Sequence, residues 1–576
     1  MLSALSVSLA GNEAGSRRAE RSLAMQGFAP AERYEWEGGT LQTWVHPEQR
    51  GCADGFVRSP SGVACCVGPI WYRGRFGNDA LALLLDEVDE PSEIDETKLR
   101  GNFALFLHKR DSVWLLNDSL GFVHVYGSVD RLFHSTSWLA ARAYVGDSCV
   151  DEMAAVQYVL QGASHSEQTV ARGVAKLPLG HAIDLATGHV RARFPMGVWG
   201  GSQTVTTLES ATESIEAHLR TVFGEVASAF PGRTSAALSG GFDSRLIVAG
   251  LLAQGERPRL FVYGDSASGD VSVASEIARA EGLSIRVVNK DAMNLELPEP
   301  DLAELVRCAL FFDGLPTDGI DDPGADRRTR KEQSIGGSIA LNGGGGEIFR
   351  NFFHVPDRRY RPRDLVRAFY RGFDGAVFRR RSGLADYESA MAESIGRSVG
   401  LGPSEDDRLL AREQTEWVYP LFRCHHWMGA NNSVAVRHGS FVTPLVDLQS
   451  ARIATMLPLE WKNAGRLESR LITAFHPGIA SHPSSYGFRF SEGPNLRARL
   501  NEWMTCQRPA FARPAINAMR RRLRGSGPST RLVARCRSLL PGEWLLDPLL
   551  DLDRLPDDAA FARALSVEVV TREIAP

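Results

Sequence analysis

The run Leu238-Ser239-Gly240-Gly241-Phe242-Asp243-Ser244-Arg245 constrains this chain more than any other, because of what flanks it. Before it, Thr234 to Leu238 is short, apolar and bounded by Pro231-Gly232, which suits a buried parallel strand. After it, Leu246, Ile247, Ala249, Leu251 and Leu252 recur at helical spacing until Gly255. The glycines therefore fall on a strand-to-helix turn. Without side chains there, backbone N–H groups approach phosphate oxygens closely, and the helix N-terminus adds partial positive charge. The Ser239 and Ser244 hydroxyls supply further donors. Asp243 would repel a bare anion, so a divalent cation between it and the phosphates, Mg2+ first, completes the reading. No lysine follows the glycines, which excludes the GxxxxGK[ST] loop and points to ATP cleaved between its α and β phosphates. The plain alternative is a helix N-terminus capped by Asp or Ser after a glycine turn.

LSGGFDS resembles the ATP-pyrophosphatase signature LSGGxDS of the asparagine synthetase superfamily, which includes β-lactam synthetases and the macrolactam cyclases that close lasso peptides. A chain of 576 residues is too long for one core, so two domains are expected: 1–200 and 201–576, joined near the Gly, Ser and Thr-rich stretch Gly197 to Thr207. The expected fold is α/β. An N-terminal αββα half resembles the glutaminase (Ntn-hydrolase) part of the superfamily, and a C-terminal doubly wound parallel sheet with helical additions resembles its synthetase part.

Composition is ordinary globular, 43% hydrophobic and 23% charged, and a net charge of −4 gives no argument for nucleic acid. The 8 cysteines lack CxxC spacing, Cys65-Cys66 being the one close pair, which suits a reduced cytoplasmic protein. MLSALSVSLAG has no basic leader and no stretch reaches the ~18 apolar residues of a membrane span, so neither export nor a membrane is expected.

From about residue 40 to 195, short apolar runs such as Gly62 to Gly68, Phe103 to Leu107 and Ser112 to Asp118 alternate with turns and read as strands of a layered sheet. LRGNFALFLHKRDSVWLLNDSLGFVHVY, FHSTSWLAARA and GVAKLPLGHAIDL follow one another as in the glutaminase half. By that resemblance, activity needs a cysteine directly after the initiator methionine, its thiolate attacking the glutamine amide. Leu2 stands there, so no glutaminase activity is expected and the domain becomes a scaffold or docking surface.

In the synthetase half, residues 209 to 229 read as a helix, Arg259 to Tyr263 and Ile285 to Val288 as strands, and Asp270 to Glu281 as a helix capped by Ser268 or Asp270. The resemblance implies that backbone near Val262 and Tyr263 receives adenine. Asn342-Gly343-Gly344-Gly345-Gly346-Glu347-Ile348-Phe349 is similar to the family's SGEGxDELF segment, with Gly346 at the place of the metal-binding aspartate. Glu347 is then the second Mg2+ ligand to consider beside Asp243, and Gly343, Gly344 and Gly345 offer backbone to an anion. A ligand-free glycine loop is the alternative.

Val442 to Asp447 is similar to the segment ending in RVPFLD that lines the acceptor site, but Gly439-Ser440-Phe441 stands where a glutamate is usual. Asn431, Asn432 and Ser440 are the substrate candidates, the asparagines serving either a substrate amide or an N-cap. Phe490-Ser491-Glu492-Gly493 matches the family's FSDG-like turn without its preceding lysine, so Arg489 is the candidate cation at the α-phosphate, with Lys462 in reserve. His425-His426 lacks further ligands and reads as structural, and the arginines between Arg508 and Arg537 read as a solvated basic helix broken at Gly525 to Pro528.

The resemblance implies an ATP-dependent, AMP-forming carbon–nitrogen ligase that adenylates a carboxylate for attack by an amine. With glutamine excluded as ammonia source, closure of a ribosomal peptide's N-terminal amine onto an Asp or Glu side chain is the first expectation. A precursor-processing protease or a leader-recognition protein is then the expected partner. A small-molecule amide, β-lactam or ammonia-dependent asparagine synthetase is the second, and a degenerate ATP-binding partner protein the third.

Overall fold

The structure is a computed structural model that describes residues 1–47, 55–194, 206–403, 405, 407–524 and 527–574. Residues 197–205 of the expected boundary, Cys52, and Gly525-Ser526 lie outside the described residues. The fold is mixed α/β, with antiparallel sheets in the N-terminal half and a parallel sheet in the C-terminal half.

Two six-stranded antiparallel sheets are described before residue 195. The first holds Ala4–Leu9 at its centre, between Gly39–Val45 and Phe133–Ser135. The second runs from Phe56–Ser59 through Gly62–Val67, Ala104–Lys109 and Ser112–Asn117 to His181–Asp184 and Val190–Ala192. The layered region thus begins well before residue 40: the apolar N-terminal run is a buried central strand. Side chains alternate across the pleat. Cys65 joins the core between the sheets with Val7, Leu41, Phe106 and Leu115, while Cys66 faces Leu81, Leu84 and Leu85 of the helix Gly77–Glu87. Adjacent cysteines on opposite faces cannot bridge.

The parallel sheet comprises β1 (Thr234–Ala237), β2 (Arg259–Tyr263), β3 (Ile285–Val288), β4 (Ile339–Leu341) and β5 (Ser440–Val442), in the order β3-β2-β1-β4-β5. The chain winds outward from β1 to β3, then returns to the other side of β1 for β4 and β5. The strand order therefore reverses between β1 and β4, the crevice where open parallel sheets receive ligands beyond their C-terminal ends. Ala236 pairs with Leu260 on one side and Leu341 on the other, which fixes the register of the loops leaving β1 and β4.

Three helices frame the crevice: α1 (Phe242–Ala253), α2 (Gly269–Ala280) and α3 (Arg466–Phe475). α1 buries Leu246, Ile247, Val248, Ala249 and Leu251, and α3 packs along it. The helix Leu208–Ala229 approaches so closely that a Cβ on Gly250 would stand 2.1 Å from the Phe223 ring. One continuous apolar cluster joins the two halves of the chain, with Trp138 and Tyr158 on one side and Phe312, Phe422 and Val434 on the other. Polar contacts fix the same junction: Thr443 N donates to Asn102 Oδ1 (2.6 Å) and His124 N to Ser433 Oγ (2.8 Å).

Several side chains of the arginine-rich stretch are paired within the protein. Arg513 donates to Phe353 and His354 carbonyls, Arg535 pairs with Asp321, Arg537 with Asp547, and Arg531 with Glu299.

Candidate active site

The two glycine loops meet at the reversal of strand order. Leu238 follows β1, its N–H donating to Phe261 O (2.9 Å), and Gly241, with φ −84° and ψ 170°, sits at the N-cap of α1. Ser239 N donates to Ser244 Oγ (3.0 Å), the two hydroxyls lie 2.9 Å apart, and Gly241 N donates to Ser239 Oγ (3.2 Å). Gly240 N donates to Asp270 Oδ1 at 2.9 Å. This resolves the two caps considered for α2: Ser268 caps it, accepting from Val271 N, and Asp270 reaches back to the loop instead. A Cβ on Gly240 would stand 2.8 Å from Asp270 Oδ1 and 3.0 Å from Ser485 Cβ, so a side chain here would displace the Asp270 carboxylate from the loop.

The second loop leaves β4 and folds back as the 3-10 turn Gly346–Phe349. A Cβ on Gly343 would stand 3.1 Å from Asp243 Cβ, so the loops are in contact. Gly344 N donates to Asn342 Oδ1 (3.1 Å), and Gly345 has φ +92°, a left-handed conformation that favours glycine.

Asp243 and Glu347 do not form the expected Mg2+ pair. Both Asp243 oxygens bind Nη2 of Arg350, at 2.9 and 2.7 Å, and Glu347 Oε1 lies 3.9 Å from the same nitrogen. Glu347 Oε2 also accepts from the Tyr419 hydroxyl at 2.5 Å. Arg350 Nε lies 3.0 Å from Glu468 Oε2, a wholly buried carboxyl on α3. The guanidinium occupies the position among the acids that a hexacoordinate Mg2+ would need, and a Cβ on Gly346 would stand 2.0 Å from Asp243 Oδ1. These residues therefore do not fit a divalent ion in this arrangement.

Burial pushes the Asp243 carboxyl up to about 6 against the opposing pull of Arg350. Burial pushes Glu468 well up as well, reinforced by the Asp243 charge, so the proton shared within this pair belongs on Glu468. Arg350, Glu468, Asp270 and Tyr419 are thus the residues that motif reading missed. Arg350 alone carried a signal, three residues beyond Glu347.

The aromatic residue of the signature has its own role. Phe242 stacks on Phe490 (4.4 Å) and packs on Tyr486 (4.5 Å), and the Arg350 guanidinium lies over its ring at 5.4 Å. The segment before the FSEG turn thereby lies across the loop, with Ser485 N donating to Gly240 O at 3.2 Å. Arg489 belongs to this segment, its side chain 55% exposed and 3.7 Å from Glu492.

Tyr263 ends β2 half-exposed, its hydroxyl accepting from Gln333 Nε2 (2.8 Å) and its ring beneath the Lys290 ammonium (4.4 Å). Val262, beside it, points into the core. The other expected residues are engaged elsewhere. Lys462 is buried against Glu416 and the Ala454 carbonyl, which removes it from the phosphate site. Asn431 accepts from Arg330, and buried Asn432 donates to Thr443 Oγ1 (2.9 Å); both lie within the helix Gly429–His438, so neither is its N-cap. Ser440 is buried at the start of β5. Asp447 caps the helix Leu448–Thr455 and lies 2.9 Å from His218; against burial, the His218 ring and the cap hydrogen bond hold its carboxyl well down. His425 and His426 are buried beside Lys176, whose amine burial brings down to about 7.

Beyond α3 lies an open cleft of about 1450 Å³, lined on one side by Arg466, Ser469 and Arg470 of α3 and on the other by Ser491, Leu496 and Trp503. The comparisons with known proteins gave no match, either to a family model or to a curated protein.

Proposed function

We propose that this chain is an ATP-dependent, AMP-forming carbon–nitrogen ligase of the asparagine synthetase type, with an N-terminal half of glutaminase-like (Ntn) ancestry and a C-terminal ATP-pyrophosphatase half. The observation that carries this reading is the meeting of the SGGFDS and Gly343–Gly346 loops at the ends of adjacent parallel strands, where the strand order reverses. In the proposed reaction a carboxylate oxygen bonds to the α-phosphorus as pyrophosphate leaves. An amine then bonds to the carbonyl carbon, AMP leaves, and the amine loses a proton. The chain's part is to hold the polyphosphate and align the acid.

Two further features bear on the substrate. All described cysteines except Cys149 are buried with their thiols shifted up, and a hydrogen bond to Asp147 raises Cys149 too, so none is an activated thiolate that would release ammonia from glutamine. The cleft beyond α3 exceeds the usual ~300–1,000 Å³ of a small-molecule site, and the apolar side chains Val355, Leu459, Leu496, Leu500 and Trp503 in its lining suit a peptide better than free aspartate. Macrolactam closure of a ribosomal peptide is the reading we adopt.

The test is ATP–pyrophosphate exchange and AMP release with leader-bearing peptides containing Asp or Glu, against free aspartate plus ammonia. Peptide-dependent AMP release supports the cyclase, and turnover of aspartate alone overturns it. A second reading, a nucleotide-binding partner protein without turnover, is favoured by the carboxylate of Asp270 on Gly240 N and the guanidinium of Arg350 on Asp243. It predicts ATP binding with no AMP formed from any acid.

A further inference from the structure

We propose that Arg350 is the resident cation of this crevice, and that a nucleotide polyphosphate binds here without a divalent metal. The inference rests on the reading of the SGGFDS loop as a nucleotide site and concerns how that site balances charge.

An anion-binding loop that ends in an aspartate needs a positive charge between the two. Here the chain itself supplies it. The guanidinium spans both Asp243 oxygens, touches Glu468 through Nε, and lies over the Phe242 ring, so it is held from three directions. Its charge cannot be titrated away near neutral pH. Nη1 has a long 3.5 Å contact with the Tyr486 hydroxyl, which leaves donor capacity for a phosphate oxygen.

Gly346 and Arg350 form one device. With no side chain at 346, Asp243 can swing to within 2.0 Å of where a Cβ would be and meet the arginine. An acid at 346 would fill that space and add a fourth carboxyl to Asp243, Glu347 and Glu468, which calls for a metal. Loss of the acid and gain of the guanidinium thus lower the site's negative charge by two, leaving Asp243 and Glu347 against Arg350 with the proton on Glu468.

The test is equilibrium binding of ATP to the full chain, by calorimetry, in EDTA and in excess Mg2+. We expect affinities equal within about threefold in the two conditions, since the charge-assisted contacts come from Arg350. Binding that requires Mg2+ overturns this inference and leaves the nucleotide site standing; no binding in either condition overturns the nucleotide site itself. Arg350→Met is expected to lose about tenfold or more in EDTA and to recover part of it with Mg2+, because Asp243 and Glu347 are released as ligands. Unchanged affinity of folded Arg350→Met in EDTA would also overturn the inference. If that variant does not fold, the comparison on the native chain still decides.

Discussion

Asp243 Oδ1 lies where the side chain of residue 346 would begin: a Cβ on Gly346 would be 2.0 Å away. This makes the absence of a side chain at 346 a condition for the Asp243–Arg350 pair. Gly346→Ala forces either the carboxylate or the loop to move, and overpacking of this kind costs about 1–3 kcal/mol. The cost is expected to shrink when Arg350→Met is combined with it, because the carboxylate is then free to leave. Denaturant midpoints of the two single variants and the double variant test this, and additivity within about 0.5 kcal/mol would show that the two positions are not coupled.

Lys462 was a candidate phosphate ligand, yet its amine is buried in an ion pair with Glu416. Removing one member of a buried pair leaves the other charge uncompensated, at a cost of about 3–5 kcal/mol. Lys462→Met is therefore expected to unfold at a lower denaturant concentration while binding ATP within about twofold of the native chain, measured on the folded fraction. Native stability together with a large loss of affinity would return Lys462 to the site.

The strands around the loop were legible because each is a short apolar run between turn residues: Arg259 to Tyr263 and Ile285 to Val288 are strands at those bounds. The strand Ala4–Leu9 carried its own period-two signal, Leu5, Val7 and Leu9 alternating with Ser6 and Ser8, but the apolar opening MLSAL invites comparison with a leader segment first. The site shows the same division. Ser239 to Ser244 follow each other in sequence, so a motif finds them. Glu468 stands on a helix more than two hundred residues after Asp243, and Arg350, three residues past Glu347, gains its role only when the fold sets it between the two acids. Local spacing reveals a loop, whereas the charge that balances the loop is a tertiary property. Lys462, Asn431 and Asn432 failed for the converse reason: polar side chains in sequence near a motif were already committed to partners across the core.

Asp313 joins the halves of the chain. Its carboxylate accepts from Trp138 N (2.7 Å), Leu139 N (3.2 Å) and the Ser137 hydroxyl (2.6 Å), and pairs with Arg437 at 2.7 Å. Asp313→Ala strands buried donors and a buried guanidinium at once, so a loss of about 3–5 kcal/mol is expected. Asp313→Asn keeps one acceptor oxygen and is expected to lose less. Equal denaturation midpoints for Asp313→Ala and the native chain would show that this contact does not hold the halves together.

Glu568 gives a pH dependence with a defined sign. It is fully buried on the helix Asp558–Glu573, 3.1 Å from Arg572, and burial moves its carboxyl from 4.5 up to about 7. Between those values the folded chain holds a proton that the unfolded chain has released, so stability falls as pH rises through this window and levels off above about 7. The full difference is about 3 kcal/mol, and below 4.5 the group is protonated in both states and contributes nothing. Glu568→Gln, neutral throughout, is expected to remove that slope and to gain on the native chain as pH rises from 4.5 to 7. Parallel stability–pH curves for the two proteins across that range would refute the assignment.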